Sequence, residues 1–204
     1  MAELVDALVS NTNAFGRAGS TPALGTKALH LKSFFYGGKA DLIRKANFSR
    51  CKHYRYLLER EWDENKPTIL FIMLNPSTAD HKQDDPTIRR CIGFAKALGF
   101  GRLFIANLFA YKATKPSDLI KAEEPSGPRN LEYLRKARKE SQTIITAWGV
   151  PSAIQKLAPE KQFKLINKWE TYSLGYCKDG NPRHPLYLRK DAGMIKNEKK
   201  FLVR

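Results

Sequence analysis

Three continuous apolar runs, each closed by residues that stop a strand, constrain this chain more than any other feature. Thr68–Leu74 (TILFIML) runs into Asn75-Pro76, Arg102–Leu108 (RLFIANL) contains Asn107 at its end, and Thr143–Trp148 (TIITAW) stops at Gly149. Runs this short and this apolar fit strands covered on both faces. Helical patterns separate them. Asp85 stands at a cap position, Pro86 at the first helical position, and Ile88, Cys91, Ile92, Ala95 and Leu98 form one stripe before Gly99 and Gly101. Pro116–Lys121, Asn130–Lys139 and a stretch near Pro151–Leu157 read as further helices, and Trp169–Leu174 as a fourth strand. Strand alternating with helix predicts an α/β fold: three layers, α/β/α, around a central, mostly parallel four-stranded sheet.

In such sheets chemistry gathers at the carboxyl ends of the strands. Those ends deliver Asn75-Pro76-Ser77, Asn107 and Trp148-Gly149, and the segment after the fourth strand delivers His184-Pro185. No carboxylate pair, Cys–His pair or phosphate-binding glycine loop is present, so acyl and phosphoryl transfer lack their usual parts. An amide fixes a water or reads a base edge with one donor and one acceptor. An imidazole stabilises a departing anion. Phe109 and Trp148 offer faces for a base to stack on, and core packing is the competing use of Trp148. Each polar residue also has a plain structural use: Asn75 before Pro76 as a strand stop, Asn107 as a loop hydrogen-bonder, His184 as a surface histidine, Asp85 as a cap.

Charge narrows the partner. The 204 residues carry a net charge of +16. Residues 1–27 contribute none of it, because two basic groups meet two acidic ones. Residues 67–188 carry nineteen basic against eleven acidic groups, and the short 189–204 segment six against two. An excess spread over the folded region and its flanks fits a face for a polyanion, nucleic acid before membrane. Arg89, Arg90, Lys112 and Arg183 are the expected contacts to its backbone. The three cysteines, Cys51, Cys91 and Cys177, are scattered, with no Cys-x-x-Cys pair. No metal and no cofactor are expected. No run approaches the roughly 18 apolar residues of a membrane span, and no secretory leader is evident, so a cytoplasmic monomer is expected.

The expected organisation is a leader at 1–27, one α/β domain at 28–188 and a basic tail at 189–204. The leader has no sustained apolar period. Gly19-Ser20-Thr21-Pro22 is encodable as the T-arm of a transfer RNA gene, and Glu3-Leu4-Val5-Asp6 as its D-arm. The segment therefore reads as a translated transfer RNA gene, a frequent landing site of mobile elements, with the true start downstream. A cloverleaf in the DNA before codon 28 is the check.

Two resemblances follow from the motifs. FIMLNPSTAD, DDPTIRRC, ANLFAYKAT, AWG and HPLYL resemble a bacterial family known only as a domain of unknown function, over about two thirds of the chain. More distantly, a strand followed by Asn75-Pro76, a strand ending in Asn107, the ITAW-Gly149 segment and His184-Pro185 resemble, in order, the motifs of the uracil-DNA glycosylase superfamily. That resemblance implies a uracil-DNA-glycosylase-like fold and hydrolysis of the N-glycosidic bond of a flipped uracil or modified base, as in base excision repair. Asn75 would hold the water, His184 would stabilise the leaving base, and Asn107, Phe109 and Ser77 would bind it. Three departures stand out: Met73 replaces a glycine, Asn75 the aspartate of the most active branch, and Leu186 the motif serine. They leave open a catalytically silent module that recognises modified or mismatched bases, or an enzyme of free nucleotides or RNA.

Overall fold

The computed structural model describes residues 42–149 and 152–202. In them the chain runs β1 (Ile43–Phe48), β2 (Arg55–Glu61), β3 (Thr68–Met73), α1 (Pro86–Ala97), β4 (Arg102–Asn107), α2 (Pro116–Lys121), α3 (Asn130–Lys139), β5 (Thr143–Thr146), α4 (Ser152–Leu157), α5 (Glu160–Ile166), β6 (Tyr172–Ser173), a 3₁₀ turn at Pro185–Tyr187 and β7 (Ile195–Lys196). The strands make one mixed sheet in the order β1-β2-β4-β3-β5-β6-β7. β4, β3, β5 and β6 are parallel neighbours. β1 and β2 extend one edge and β7 the other, all antiparallel.

The four-strand expectation is thus corrected to seven. The missed strands are those whose charges break the apolar pattern. β2 reads RYLLERE and yet buries Arg55, Glu59 and Arg60. Two of these charges are paired, Glu59 accepting from Arg102 at 2.7 Å and Arg60 donating to Asp84 at 2.7 Å, and Arg55 donates to the Ala79 carbonyl. Buried charges are tolerated only with such partners. The tail is corrected too. Its Ile195–Lys196 forms β7, and Phe201 packs on Trp148 at 4.6 Å and Phe163 at 5.9 Å. The leader at 1–27 lies outside the described residues.

β3 is buried at every position and feeds two cores. Leu70 and Ile72 join Phe104 and Ala106 of β4 with Leu119, Leu134, Ala137 and Phe163 of α2, α3 and α5. Ile69, Phe71 and Met73 join Leu103 and Ile105 of β4 with Ile88, Cys91, Phe94 and Ala95 of α1. Helices therefore cover both faces, and each such side chain contributes about 1.5–3 kcal/mol on burial. The chain leaves β3 through α1 to β4, then crosses back on the other face to β5 at the opposite side of β3. In sheets of this kind such a reversal marks the place, the crevice outside the carboxyl ends of the central strands, where ligands bind. No helix among the described residues is long and apolar enough to cross a membrane.

Candidate functional site

The loop from β3 to α1 follows the carboxyl end of β3 and is held by two arginines from β2. Arg55 Nη1 donates to the Ala79 carbonyl at 2.6 Å, and Arg60 Nη2 to the Asp80 carbonyl at 2.5 Å. Asp80 closes the loop by accepting from the Lys82 and Gln83 amides at 2.6 and 2.8 Å. The loop ends at Asp85, whose Oδ1 accepts the Ile88 amide at 2.8 Å and caps α1. Arg55 is 2% exposed. Burial pulls its pKa down to about 10, the Asp85 carboxylate opposes that, and neighbouring Arg60 adds to it.

Asn107 is the last residue of β4. Along β4, Leu103 and Ile105 face α1 while Phe104 and Ala106 face away, so Asn107 turns towards α1. Its register partner in β3 is Met73, whose sulfur lies 4.0 Å from that of Cys91. Asn107 is 1% exposed, and neither Nδ2 nor Oδ1 has a hydrogen-bond partner among the described residues. Arg55 Nε is likewise unpartnered. An unsatisfied buried polar group costs about 1–3 kcal/mol, and Asn130 Oδ1 is unpartnered as well. Asn130, the first residue of α3, holds the backbone here: its Nδ2 donates to the carbonyls of Asn107 and Leu108 at 3.0 and 2.9 Å.

His184 enters from the C-terminal side. Its Nδ1 accepts the Leu186 amide at 3.4 Å and caps the 3₁₀ turn, which assigns the proton of the neutral ring to Nε2. Arg90 of α1 donates to the Pro185 carbonyl at 3.4 Å and to the Leu188 carbonyl, clamping the turn against α1. Gly149, at the end of the third apolar run, has φ +81, and a Cβ there would lie 3.3 Å from His184 Cβ. Glycine at that position thus lets the two segments close up. Burial lowers the His184 pKa, and the Asp85 carboxylate pulls it back up. Asp85 therefore stands in the field of both Arg55 and His184.

The lowered pKa has a sign. His184 stabilises the fold fully above the ordinary histidine pKa of about 6.5, and that stability is lost as pH falls through its lower folded value. Urea midpoints measured from pH 8 downwards are expected to hold level and then fall on the acid side of about 6.5. His184→Gln is expected to flatten that fall; an unchanged profile would place the titration elsewhere.

The family model described as Protein of unknown function (DUF1643) matches residues 55–186. The chain belongs to this family. The match begins at Arg55 and takes in Asp85, Asn107, Asn130 and His184, the groups that build the crevice. No curated protein and no solved structure matches the chain.

Other expected residues of the DUF1643 domain lie differently. Asn75 Nδ2 donates to the carbonyls of Pro76 and Ala113, at 3.0 and 2.8 Å, so both its N–H groups tie loops together and only Oδ1 remains for a water. Phe109 is fully buried in the core on the α2–α5 face, away from Asn107, and has no free face for a base. Trp148 is core as well, with Nε1 donating to Asn181 at 3.2 Å. Arg90 is a clamp for the 3₁₀ turn rather than a phosphate contact. Arg89, Lys112 and Arg183 are exposed: Arg89 reaches the Asp84 carbonyl at 2.5 Å, and the Lys112 ammonium sits 5.2 Å over Phe48. Ser77 is half-buried beside the crevice loop.

Sequence reasoning missed Arg55, Arg60 and Asn130, and took Asp85 for a cap alone. Asp84 pairs with Arg60 and with Arg44 at 3.7 Å. No group of three or more His, Cys, Asp or Glu among the described residues is placed to hold a metal.

Proposed function

We propose that the chain binds nucleic acid, DNA in the first instance, and hydrolyses the N-glycosidic bond of a flipped uracil or modified base at the crevice between β3, β4 and α1. The observation that carries this reading is Asn107, a buried carboxamide with donor and acceptor both unused. A pyrimidine edge that offers a carbonyl beside an N–H is its complement. A base extruded from the stack would reach it beneath the Ala79–Asp85 loop. Asn107 Nδ2 donates to the base carbonyl and Oδ1 accepts its N–H. His184 Nε2–H stabilises the base anion as the C1′–N bond breaks. Water then bonds through oxygen to C1′, its proton passing to the departing base, with Asn75 Oδ1 as the acceptor that orients it. The exposed Arg89, Lys112 and Arg183 hold phosphates, with Ser77 at the rim.

The same reading takes the fold as a uracil-DNA-glycosylase-like, three-layer one. The parallel run β4-β3-β5-β6 with helices on both faces supports it. It takes the chain as a cytoplasmic monomer that needs neither metal nor cofactor.

A second reading, a silent module for modified or mismatched bases, is favoured by two observations. Met73 lies beside Asn107, and both N–H groups of Asn75 are committed to backbone. One assay separates the two. The purified chain is incubated with duplexes and single strands carrying uracil, mismatched or modified pyrimidines, and abasic sites are read by alkaline cleavage. Abasic sites at one base type are expected, falling about a hundredfold in Asn107→Ala and His184→Ala. Binding without abasic sites supports the silent module. A preference for mononucleotides or RNA moves the substrate to those. Neither binding nor cleavage overturns both readings.

A further inference from the structure

The loop that leads into His184 also walls a second feature. Residues Lys178–Asn181 line a cleft of about 860 Å³, together with Tyr176, Phe201 and the lysines Lys196, Lys199 and Lys200. Its size falls in the range of about 300–1,000 Å³ typical of ligand sites. Phe201 lies in its floor and is fixed edge-on against Trp148 at 4.6 Å. The Tyr176 ring is 38% exposed, and its hydroxyl donates to Asn197 Oδ1 at 2.5 Å, which orients the ring.

Charge over the cleft is positive. Lys196 is paired with Glu170 at 2.9 Å, whereas Lys178, Lys199 and Lys200 have no ion pair among the described residues. Two carboxylates share the lining, Asp179 and Glu198. Asp179 accepts from the Asn181 amide at 3.0 Å and its Nδ2 at 2.9 Å. Asn181 in turn accepts from Trp148 Nε1, and the next residue, Pro182, accepts the Gly149 amide at 2.7 Å. The cleft is therefore built onto the same strand end that contacts His184.

We infer that this cleft is a second site, which holds a single-stranded stretch of nucleic acid, with one base stacked on Tyr176 and phosphates on Lys178, Lys199 and Lys200. An aromatic platform bordered by unpaired ammonium groups is the chemistry of strand binding without sequence preference. The inference rests on the nucleic-acid reading above and adds the path of the strand as it leaves the His184 crevice.

Fluorescence anisotropy of the full chain with labelled oligothymidylate, across a salt series, tests it. Tyr176→Ala is expected to weaken binding about tenfold, while Tyr176→Phe keeps it. The double variant Lys199→Glu/Lys200→Glu is expected to weaken it at least about tenfold and to reduce the slope of log affinity against log salt by about 1.4. Lys136→Glu/Lys139→Glu on α3, which alters net charge equally, is expected to stay within about twofold of the parent. Equal losses in the two double variants, or cleft variants that bind like the parent, overturn the inference. In those cases, if the parent still forms abasic sites, the reading of the crevice stands without it. If the parent binds no oligonucleotide, both fall together.

Discussion

Replacing Asn107 with leucine is expected to raise the melting temperature and at the same time abolish base recognition. Asn107 is 1% exposed, with both amide atoms lacking partners, beside Met73 on the α1-facing side of the sheet. Leucine has nearly the same shape and leaves no polar atom unpaired. The unsatisfied carboxamide costs about 1–3 kcal/mol, and most of that should return as stability. At about 2–4 °C per kcal/mol for a domain of this length, the rise should be plain in calorimetry. Sites kept for function commonly hold such destabilising groups. Asn130→Leu is the contrast. Its Oδ1 is unpartnered too, but its Nδ2 makes two good hydrogen bonds to backbone carbonyls whose loss outweighs that, so the variant is expected to melt lower, not higher. An Asn107→Leu protein that melts well below the parent would mean the amide is satisfied in solution and is no receptor.

The fold was legible where burial is two-sided. β3, β4 and β5 announce themselves because every position faces apolar groups, and α1 because Asp85, Pro86 and the stripe from Ile88 to Ala95 agree with one another. The edges were not legible. β2 buries Arg55, Glu59 and Arg60, and no local pattern reveals that Arg60 meets Asp84, 24 residues on, or that Glu59 meets Arg102, 43 residues on. β7 has two exposed residues and no pattern at all.

The site divides the same way. The rule that chemistry gathers at strand ends singles out Asn107, which does end β4, because the rule depends only on where a strand stops. It could not find Arg55, whose approach to Ala79 depends on sheet order, nor the true setting of Phe109. Beyond Asn107 the chain leaves strict alternation, and Leu108 and Phe109 enter the same core. Asn75 was placed correctly at the strand exit, but its hydrogen bond to Ala113 spans 38 residues and was invisible.

Arg60→Met is expected to be the most destabilising single change in the chain, by about 3–5 kcal/mol, because it leaves a shielded carboxylate without its partner. The Arg60 side chain is 0% exposed, and that of Asp84 only 10%. The guanidinium makes four bonds: Nε to Asp84 Oδ1 at 2.7 Å, Nη2 to the Asp80 carbonyl at 2.5 Å, and Nη1 to the carbonyls of Glu59 at 2.7 Å and Lys45 at 3.4 Å. It thereby fastens β1, β2 and the crevice loop at one point. The carboxylate left behind retains only Arg44, at 3.7 Å and partly exposed. Arg60→Met/Asp84→Asn removes both charges and should recover a large part of the loss, since replacing both members of a buried pair costs far less than removing one. Urea unfolding of the four proteins in the cycle reads the coupling directly. Hydrogen exchange should show the Asp80–Asp85 amides losing protection in Arg60→Met, because the side-chain anchors of the loop to β2 are then reduced to the Arg55 bond to Ala79. Additive losses in the cycle would mean that the pair acts as two independent charges, and the crevice loop would owe its position to Arg55 and to the Asp85 cap instead.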